Sequence, residues 1–148
     1  MATWPYYLFA IAAGAMLPIQ FGINAQLASW LGSPLRATLV SFVVGAAVLL
    51  VAVLVFARGI SGERDLGSAP WWVWVGGLLG AFYVLGSVVT APKLGAAALF
   101  AFILAGQAVA SLAVDHFGWV GFPENAVTPG RLLGIALVAA GVAAVRFL

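Results

Sequence analysis

Five long apolar runs constrain this sequence more than any other feature. About 20 consecutive apolar residues cross the hydrocarbon core of a bilayer as an α-helix. Only 7% of the residues are charged, whereas a soluble domain carries about 25%, so a water-exposed surface could not be covered. The sequence therefore predicts an all-α, polytopic membrane protein with one domain over residues 1–148. The five predicted transmembrane helices span residues 4–25, 35–57, 71–91, 96–114 and 131–148.

Serine or threonine followed by proline precedes two of the runs. Ser33–Pro34 and Thr128–Pro129 fit a helix N-cap with proline at the first helical position. Pro92 is predicted to end the third helix. No basic region precedes the first run, which is longer than the apolar part of a signal peptide, so we expect it to remain as the first span.

Several classes of function lack their sequence signals. The chain has no cysteine, which excludes disulfides and thiolate metal sites. It also lacks an HExxH motif, a glycine-rich phosphate loop and a GxSxG nucleophile motif. The net charge of +2 is small and scattered, which disfavours a nucleic-acid partner. We therefore predict no enzyme activity, no cofactor and no metal; the expected partners are membrane lipid and a small solute.

The stretch LPIQFGINAQ (residues 17–26) places polar residues and a proline inside an apolar run. Gln20 and Asn24 are four residues apart and share one helix face. Pro18 has no N–H, and its ring clashes with the carbonyl of Gly14, so we predict a kink there. Irregular backbone at membrane depth is tolerated where it faces protein or a wet cavity.

Polar or small residues form similar stripes on other predicted helices, and these stripes allow two interpretations. They could pack helices closely, or they could line a polar cavity, which would justify burying bulky amides. Packing is favoured for Thr38, Ser41, Gly76 and Gly80. Cavity lining is favoured for Gln20, Asn24 and Gln107, and Ser111 fits both interpretations, so the predicted substrate pathway consists of Gln20, Asn24, Gln107 and Ser111.

Asp115 and His116 end the fourth predicted helix. They could form a proton-sensitive pair, because histidine side chains titrate near neutral pH. The ordinary interpretation, an interfacial pair at headgroup level, is favoured. No acidic residue lies in the middle of any predicted span, although proton-coupled carriers usually need one.

Basic residues give no preferred orientation in the membrane. With five spans, Arg58, Arg64 and Arg131 would lie on one side and Arg36, Lys93 and Arg146 on the other. Because lysine and arginine bias sets orientation, this even tally predicts dual topology, in which the chain inserts both ways up.

Several segments together resemble one family over nearly the whole chain. They are GSP at residues 32–34, SFVVG at 41–45, PWWVWVGGLLGAFYV from 70, APKLGAA from 91 and GQAVASLAVDHFGWVG from 106. With Gln20 and Asn24, they resemble the YdcZ-type exporter family, a half-size member of the drug/metabolite transporter superfamily. This resemblance implies a five-helix protein of the bacterial inner membrane.

The resemblance also implies kinship with two other groups of carriers. Ten-helix drug/metabolite carriers look like two such units fused in opposite orientation, and four-helix small multidrug resistance exporters work as antiparallel dimers. The run GIALVAAGV from residue 134 is similar to the glycine-spaced last helix through which those exporters dimerise, which implies a dimer contact at Gly134 and Gly141. Those exporters use a membrane glutamate in the first helix, where this chain has Gln20 and Asn24.

These observations predict a small exporter of a polar or amphipathic solute. Five helices would supply half of a pathway, and an antiparallel homodimer or a paired homologue would complete it. The expected mechanism is alternating access. The amides and the missing mid-span charge favour a neutral, zwitterionic or amide- or hydroxyl-bearing solute. The alternatives are a non-transporting subunit of a larger membrane complex and an uncoupled scramblase.

Overall fold

The computed structural model describes residues 3–56 and 69–147. This part of the chain is helical without strands, and all five long helices are apolar enough to cross a membrane. The all-α, five-span prediction is therefore confirmed. Arg58, Gly62 and Arg64 of the second loop lie outside the described residues. The helices are α1 (Trp4–Leu31), α2 (Pro34–Phe56), α3 (Val75–Leu94), α4 (Ala96–Phe117) and α5 (Pro129–Phe147).

The first helix is longer than predicted, because it continues through Pro18 and ends only at Leu31. Gly32 has a positive φ of 65°, and the N–H of Ser33 donates to the carbonyl of Ala28 at 3.2 Å. This is the Schellman arrangement, which ends a helix at a left-handed glycine. At about 1.5 Å per residue, the 28-residue helix exceeds the roughly 30 Å hydrocarbon thickness.

The prediction that Pro92 ends the third helix is wrong. A 3₁₀ turn at Trp71–Trp74 leads into α3, which continues through Pro92 to Leu94. Proline removes only one hydrogen bond of the ladder, and so close to the end of the helix few bonds remain to be disturbed. Gly95, with φ of 74° and ψ of 164°, is the residue that ends α3, because this conformation is open essentially to glycine alone.

The ends of α4 and α5 follow local capping rules. Gly118 is left-handed, and its N–H donates to the carbonyl of Val114, so α4 runs past the predicted end at residue 114. Thr128 caps α5, because its hydroxyl oxygen accepts from the N–H of Arg131 at 3.3 Å. Ser33 caps α2 in the same way through the N–H of Arg36 at 3.4 Å. Both predicted caps are confirmed.

The chain falls into two compact units. The α1–α3 unit comprises Ile19–Lys93, and the α4–α5 unit comprises Met1–Pro18 with Leu94–Leu148. Very little of either unit is buried: the apolar windows of α2 and α5 have 0% of their residues buried. Extensive exposed apolar surface is what a lipid environment or a partner chain would cover. That all 148 residues form a single domain stays a prediction.

Candidate functional site

A cavity of about 290 Å³ lies within the α1–α3 unit. Its volume is near the lower end of the range for small-molecule pockets, about 300–1,000 Å³. Two polar side chains, Gln20 from α1 and Ser41 from α2, face otherwise apolar walls. The remaining lining residues are Phe42, Gly45, Ala46, Leu49 and Val84. The structure therefore places one predicted pathway residue, Gln20, in a cavity without charged lining residues.

The sequence favours helix packing for Ser41, and the structure shows that this residue also lines the cavity. Its neighbour on the same face, Thr38, does have a packing role. Thr38 is buried, and its hydroxyl donates to the carbonyl of Pro34 at 2.9 Å. Gly80 also packs closely, since a Cβ there would lie 3.6 Å from Cζ of Phe42.

An apolar core of the same unit adjoins the cavity through a shared residue. Ala37, Val84 and Val88 are buried together, and Val84 also lines the cavity. Partly buried side chains pack against this core from α1 and α3: Leu27, Ala28, Leu31 and Tyr83. The core therefore joins α1, α2 and α3, and Val84 belongs both to the core and to the cavity wall.

Buried polar groups in this unit fall into two kinds. The hydroxyls of Thr38 and Ser87 donate to carbonyls of their own helices, for Ser87 to Val84 at 2.7 Å. Asn24 is only 4% exposed, and its Nδ2 has no hydrogen-bond partner among the described residues. The hydroxyl of Tyr83 is likewise buried and unpartnered there. Such groups are rare in folded proteins and call for an explanation.

The other two predicted pathway residues lie in the α4–α5 unit. Gln107 is exposed near the middle of α4. Ser111 is exposed and donates to the carbonyl of Ala108 at 3.0 Å. It also lines a groove between α4 and α5 with Arg131 and Gly134.

Asp115 forms an ion pair with Arg131 at the beginning of α5. Asn125 forms backbone hydrogen bonds to both partners of this ion pair. Its N–H donates to the carbonyl of Asp115 at 2.7 Å, and its carbonyl accepts from Nη1 of Arg131 at 3.0 Å. The ring of His116 packs edge-on against Phe117, and its Nδ1 is buried without a partner among the described residues. The carboxylate thus has arginine as its ionic partner, and a proton-sensitive Asp115–His116 pair stays a prediction.

The glycines predicted to form the dimer contact lie on α5, and the proline predicted to kink the first helix lies within α1. A Cβ added at Gly134 or Gly141 would meet nothing within 4 Å, so both glycines border open space. Gly141 lines an apolar groove with Ala97, among other residues of α4 and α5. Pro18 lies inside α1 and is the last residue before the boundary of the α1–α3 unit. The kink and the dimer contact both stay predictions.

Comparison with known proteins assigns the family. The family model described as "Putative inner membrane exporter, YdcZ" matches residues 5–144. The chain belongs to the YdcZ family. It is also 34% identical over 134 residues to the "Inner membrane protein YdcZ" of Escherichia coli (strain K12), covering 90% of this chain and 89% of that protein.

Membership of the YdcZ family establishes where the protein is located. With five helices long enough to cross a membrane and an inner-membrane relative, the chain is a multi-pass protein of the inner membrane. The family description points to export rather than to enzyme activity. No solved structure matches the chain.

Proposed function

We propose that this chain transports a small amphipathic solute, and that the cavity of the α1–α3 unit binds it. The observation that carries this proposal is the combination of Gln20 and Ser41 with apolar walls in a cavity of about 290 Å³. Small-molecule sites have this composition, in which apolar surface provides affinity and a few polar groups fix orientation.

The lining favours a solute without net charge. No charged side chain lines the cavity, and an unpaired charge buried in an apolar environment is strongly disfavoured. The amide of Gln20 can both donate and accept hydrogen bonds, as can the hydroxyl of Ser41. A neutral solute with an apolar body and one or two polar groups complements both kinds of surface.

The proposed transporter is an antiparallel homodimer. Gln107 exposes an amide near the middle of α4, where contact with lipid tails would leave its hydrogen-bonding groups unsatisfied. A second copy could supply the missing partner. The open space beside Gly134 and Gly141 would admit another helix closely, as small residues do at membrane interfaces. The even distribution of basic residues on the two sides makes opposite orientations equally available.

Alternating access requires a place where the backbone bends. Pro18 supports this role, because it removes a backbone donor within α1 and lies at the boundary between the two units. The proposed movement bends α1 at Pro18 and exposes the cavity to one side of the membrane at a time.

Purified protein reconstituted in liposomes tests the proposed function. A library of neutral metabolites is first screened by thermal shift, because a ligand that binds only the folded state raises the melting temperature. Ligands from this screen are then tested for flux, with empty liposomes as the control. Solute-dependent flux is the expected result. Inertness towards every ligand, together with a stable co-purifying membrane protein, would refute transport and identify the chain as a subunit of a larger complex.

A further inference from the structure

The cavity of the α1–α3 unit lies near the middle of its membrane-spanning helices. On α2 its lining begins at Ser41 and ends at Leu49, so residues 34–40 of this helix precede it and residues 50–56 follow it. At about 1.5 Å per residue, each of these flanking segments is about 10 Å long. In a bilayer whose hydrocarbon core is about 30 Å thick, the cavity therefore lies at the depth of the lipid tails.

Towards the connection between α1 and α2, the cavity is closed by packed side chains. Ala37 is 0% exposed and Thr38 is 5% exposed, and both lie between the cavity lining and the beginning of α2. Leu27 and Leu31 of α1 pack against the core that contains Ala37. A solute reaches the cavity from this end only if the helices separate.

The cavity is open on its side. Several of its lining residues are exposed: Gln20 on α1, and Phe42 and Leu49 on α2. A Cβ built at Gly45, which also lines the cavity, would meet nothing within 4 Å. The wall is thus incomplete in the direction perpendicular to the helices, and the opening faces whatever surrounds them.

The composition of α2 indicates what this opening faces. α2 carries most of the cavity lining and is the most apolar of the five long helices described. After Ser41 its sequence has no polar side chain, and the exposed residues next to the lining, Val44 and Val48, are branched aliphatic residues. Protein contacts within membranes favour small and polar residues instead. The open side therefore has the character of a lipid-facing surface.

Gln20 is the exception on this open side. Its amide is exposed at a depth where lipid tails offer no hydrogen-bonding group, so contact with tails alone would be unfavourable. A bound molecule with a polar group would satisfy the amide. The opening leaves room for the apolar part of that molecule to extend among the tails, and both features together fit an amphiphile.

We propose that the solute enters the cavity sideways, from the hydrocarbon region of the bilayer. The ligand class is a neutral, membrane-resident amphiphile with one apolar chain. Its uncharged polar group pairs with Gln20, and its chain extends past Gly45 and Leu49 into the bilayer. This inference rests on the proposed function, because it takes the cavity to be the solute site.

Spin labels on single cysteines test the opening, because the native chain contains no cysteine. The labelled positions are Gly45→Cys and, as a second lining position, Ala46→Cys. Collision rates of the label are measured by electron paramagnetic resonance in liposomes, with oxygen, which concentrates in lipid, and with the nickel complex NiEDDA, which stays in water. The references are Val48→Cys, on the exposed surface of α2 outside the lining, and Glu124→Cys, in the exposed connection between α4 and α5.

We expect oxygen to collide with both lining labels more often than NiEDDA does, as at Val48→Cys, and the reverse at Glu124→Cys. More frequent collisions with NiEDDA at the lining positions would overturn the inference, because the cavity would then open to water. Few collisions with either reagent would also overturn it, because a second copy or another protein would then cover the opening.

Decanamide, a neutral single-chain amide, tests the ligand class in thermal unfolding of the protein in lipid nanodiscs. It should raise the melting temperature, because it binds the folded state. In Gln20→Leu the same rise should require about 5-fold more decanamide, the effect of one lost hydrogen bond. The matched control is Gln26→Leu, which removes an exposed amide of α1 outside the lining and should respond like the unaltered protein.

The failure of this inference can be told apart from the failure of transport. Equal responses of Gln20→Leu and the unaltered protein to decanamide, or no response of either, would refute the ligand class. A cavity open to lipid that binds decanamide, without flux of any solute, would refute transport and leave the lipid-facing site standing. Flux through a protein whose lining labels oxygen cannot reach would refute sideways entry alone.

Discussion

Gly45 offers a way to fill the proposed solute cavity without disturbing the fold. It lies inside α2 and lines the cavity, and a Cβ built at this position would meet nothing within 4 Å. In Gly45→Leu the new side chain can therefore enter the cavity without a clash at its first atom. Leucine is also a better helix former than glycine, by about 0.5–1 kcal/mol in a helix interior, so the variant should fold at least as well as the original chain.

The size of the effect on transport follows from the volume available. The cavity holds about 290 Å³, which is near the lower limit for a small-molecule pocket, so an isobutyl group occupies space that the solute would otherwise fill. If leucine displaces only two methylene-sized groups of the solute, about 1.6 kcal/mol of apolar burial is lost. That corresponds to roughly a 15-fold loss of affinity.

Gly22→Leu is the matched control. Gly22 also lies inside a helix of the same unit, its Cβ would also meet nothing within 4 Å, and it does not line the cavity. Both variants should keep or slightly raise the melting temperature. Flux per folded protein in liposomes, measured with a ligand found by the thermal-shift screen, should fall at least about 10-fold in Gly45→Leu alone.

Two outcomes would refute the reasoning. Unchanged flux in Gly45→Leu would show that solute does not occupy this cavity. Equal losses of flux in both variants would show that the effect comes from changed helix packing rather than from the filled space.

Four further predictions concern other parts of the chain. Asn24→Ala should leave the melting temperature nearly unchanged and abolish flux, because an amide that binds solute adds little to the stability of the fold. An amide that instead forms a hydrogen bond between helices would contribute about 1 kcal/mol to stability. Gly141→Leu should disrupt self-association, as seen by crosslinking or mass photometry, because it fills the open space on α5. Arg131→Gln should destabilise the protein by at most about 1 kcal/mol in thermal unfolding, since its pair with Asp115 is partly exposed. In cells, Gly62→Cys should label from outside with an impermeant maleimide in about half of the molecules, since the basic residues favour neither orientation.

Each of these predictions has its own control or contradicting result. A clear loss of stability in Asn24→Ala with intact flux would contradict a role in the cavity. Gly86→Leu, at an exposed glycine of α3 with open space beside it, should leave the oligomer unchanged, and an unchanged oligomer in Gly141→Leu would move the dimer contact elsewhere. High salt should reduce the effect of Arg131→Gln, because exposed ion pairs are screened. Labelling of Gly62→Cys that is complete or absent would exclude dual topology, and an added arginine beside it should shift intermediate labelling strongly.

The sequence alone predicted the five spans, the caps at Ser33 and Thr128, and the family. These features are readable because they are local. A membrane-spanning segment must satisfy its backbone hydrogen bonds within its own helix, so the length of an apolar run is sufficient evidence. Caps likewise depend on a few consecutive residues. The end of α3 escaped prediction because Pro92 can occupy the last turn of a helix, where Gly95 rather than proline ends it.

Only the tertiary structure distinguished side chains that share a helix face. Thr38 and Ser41 are three residues apart on α2. Thr38 is buried, and its hydroxyl donates to a carbonyl of its own helix, whereas Ser41 lines the cavity. Asp115 pairs with Arg131, which is 16 residues further along the chain, and Tyr83 meets Phe21 across two helices. Helical periodicity indicates which residues share a face. Which neighbour that face meets depends on contacts between residues distant in the chain, and no short stretch of sequence contains them.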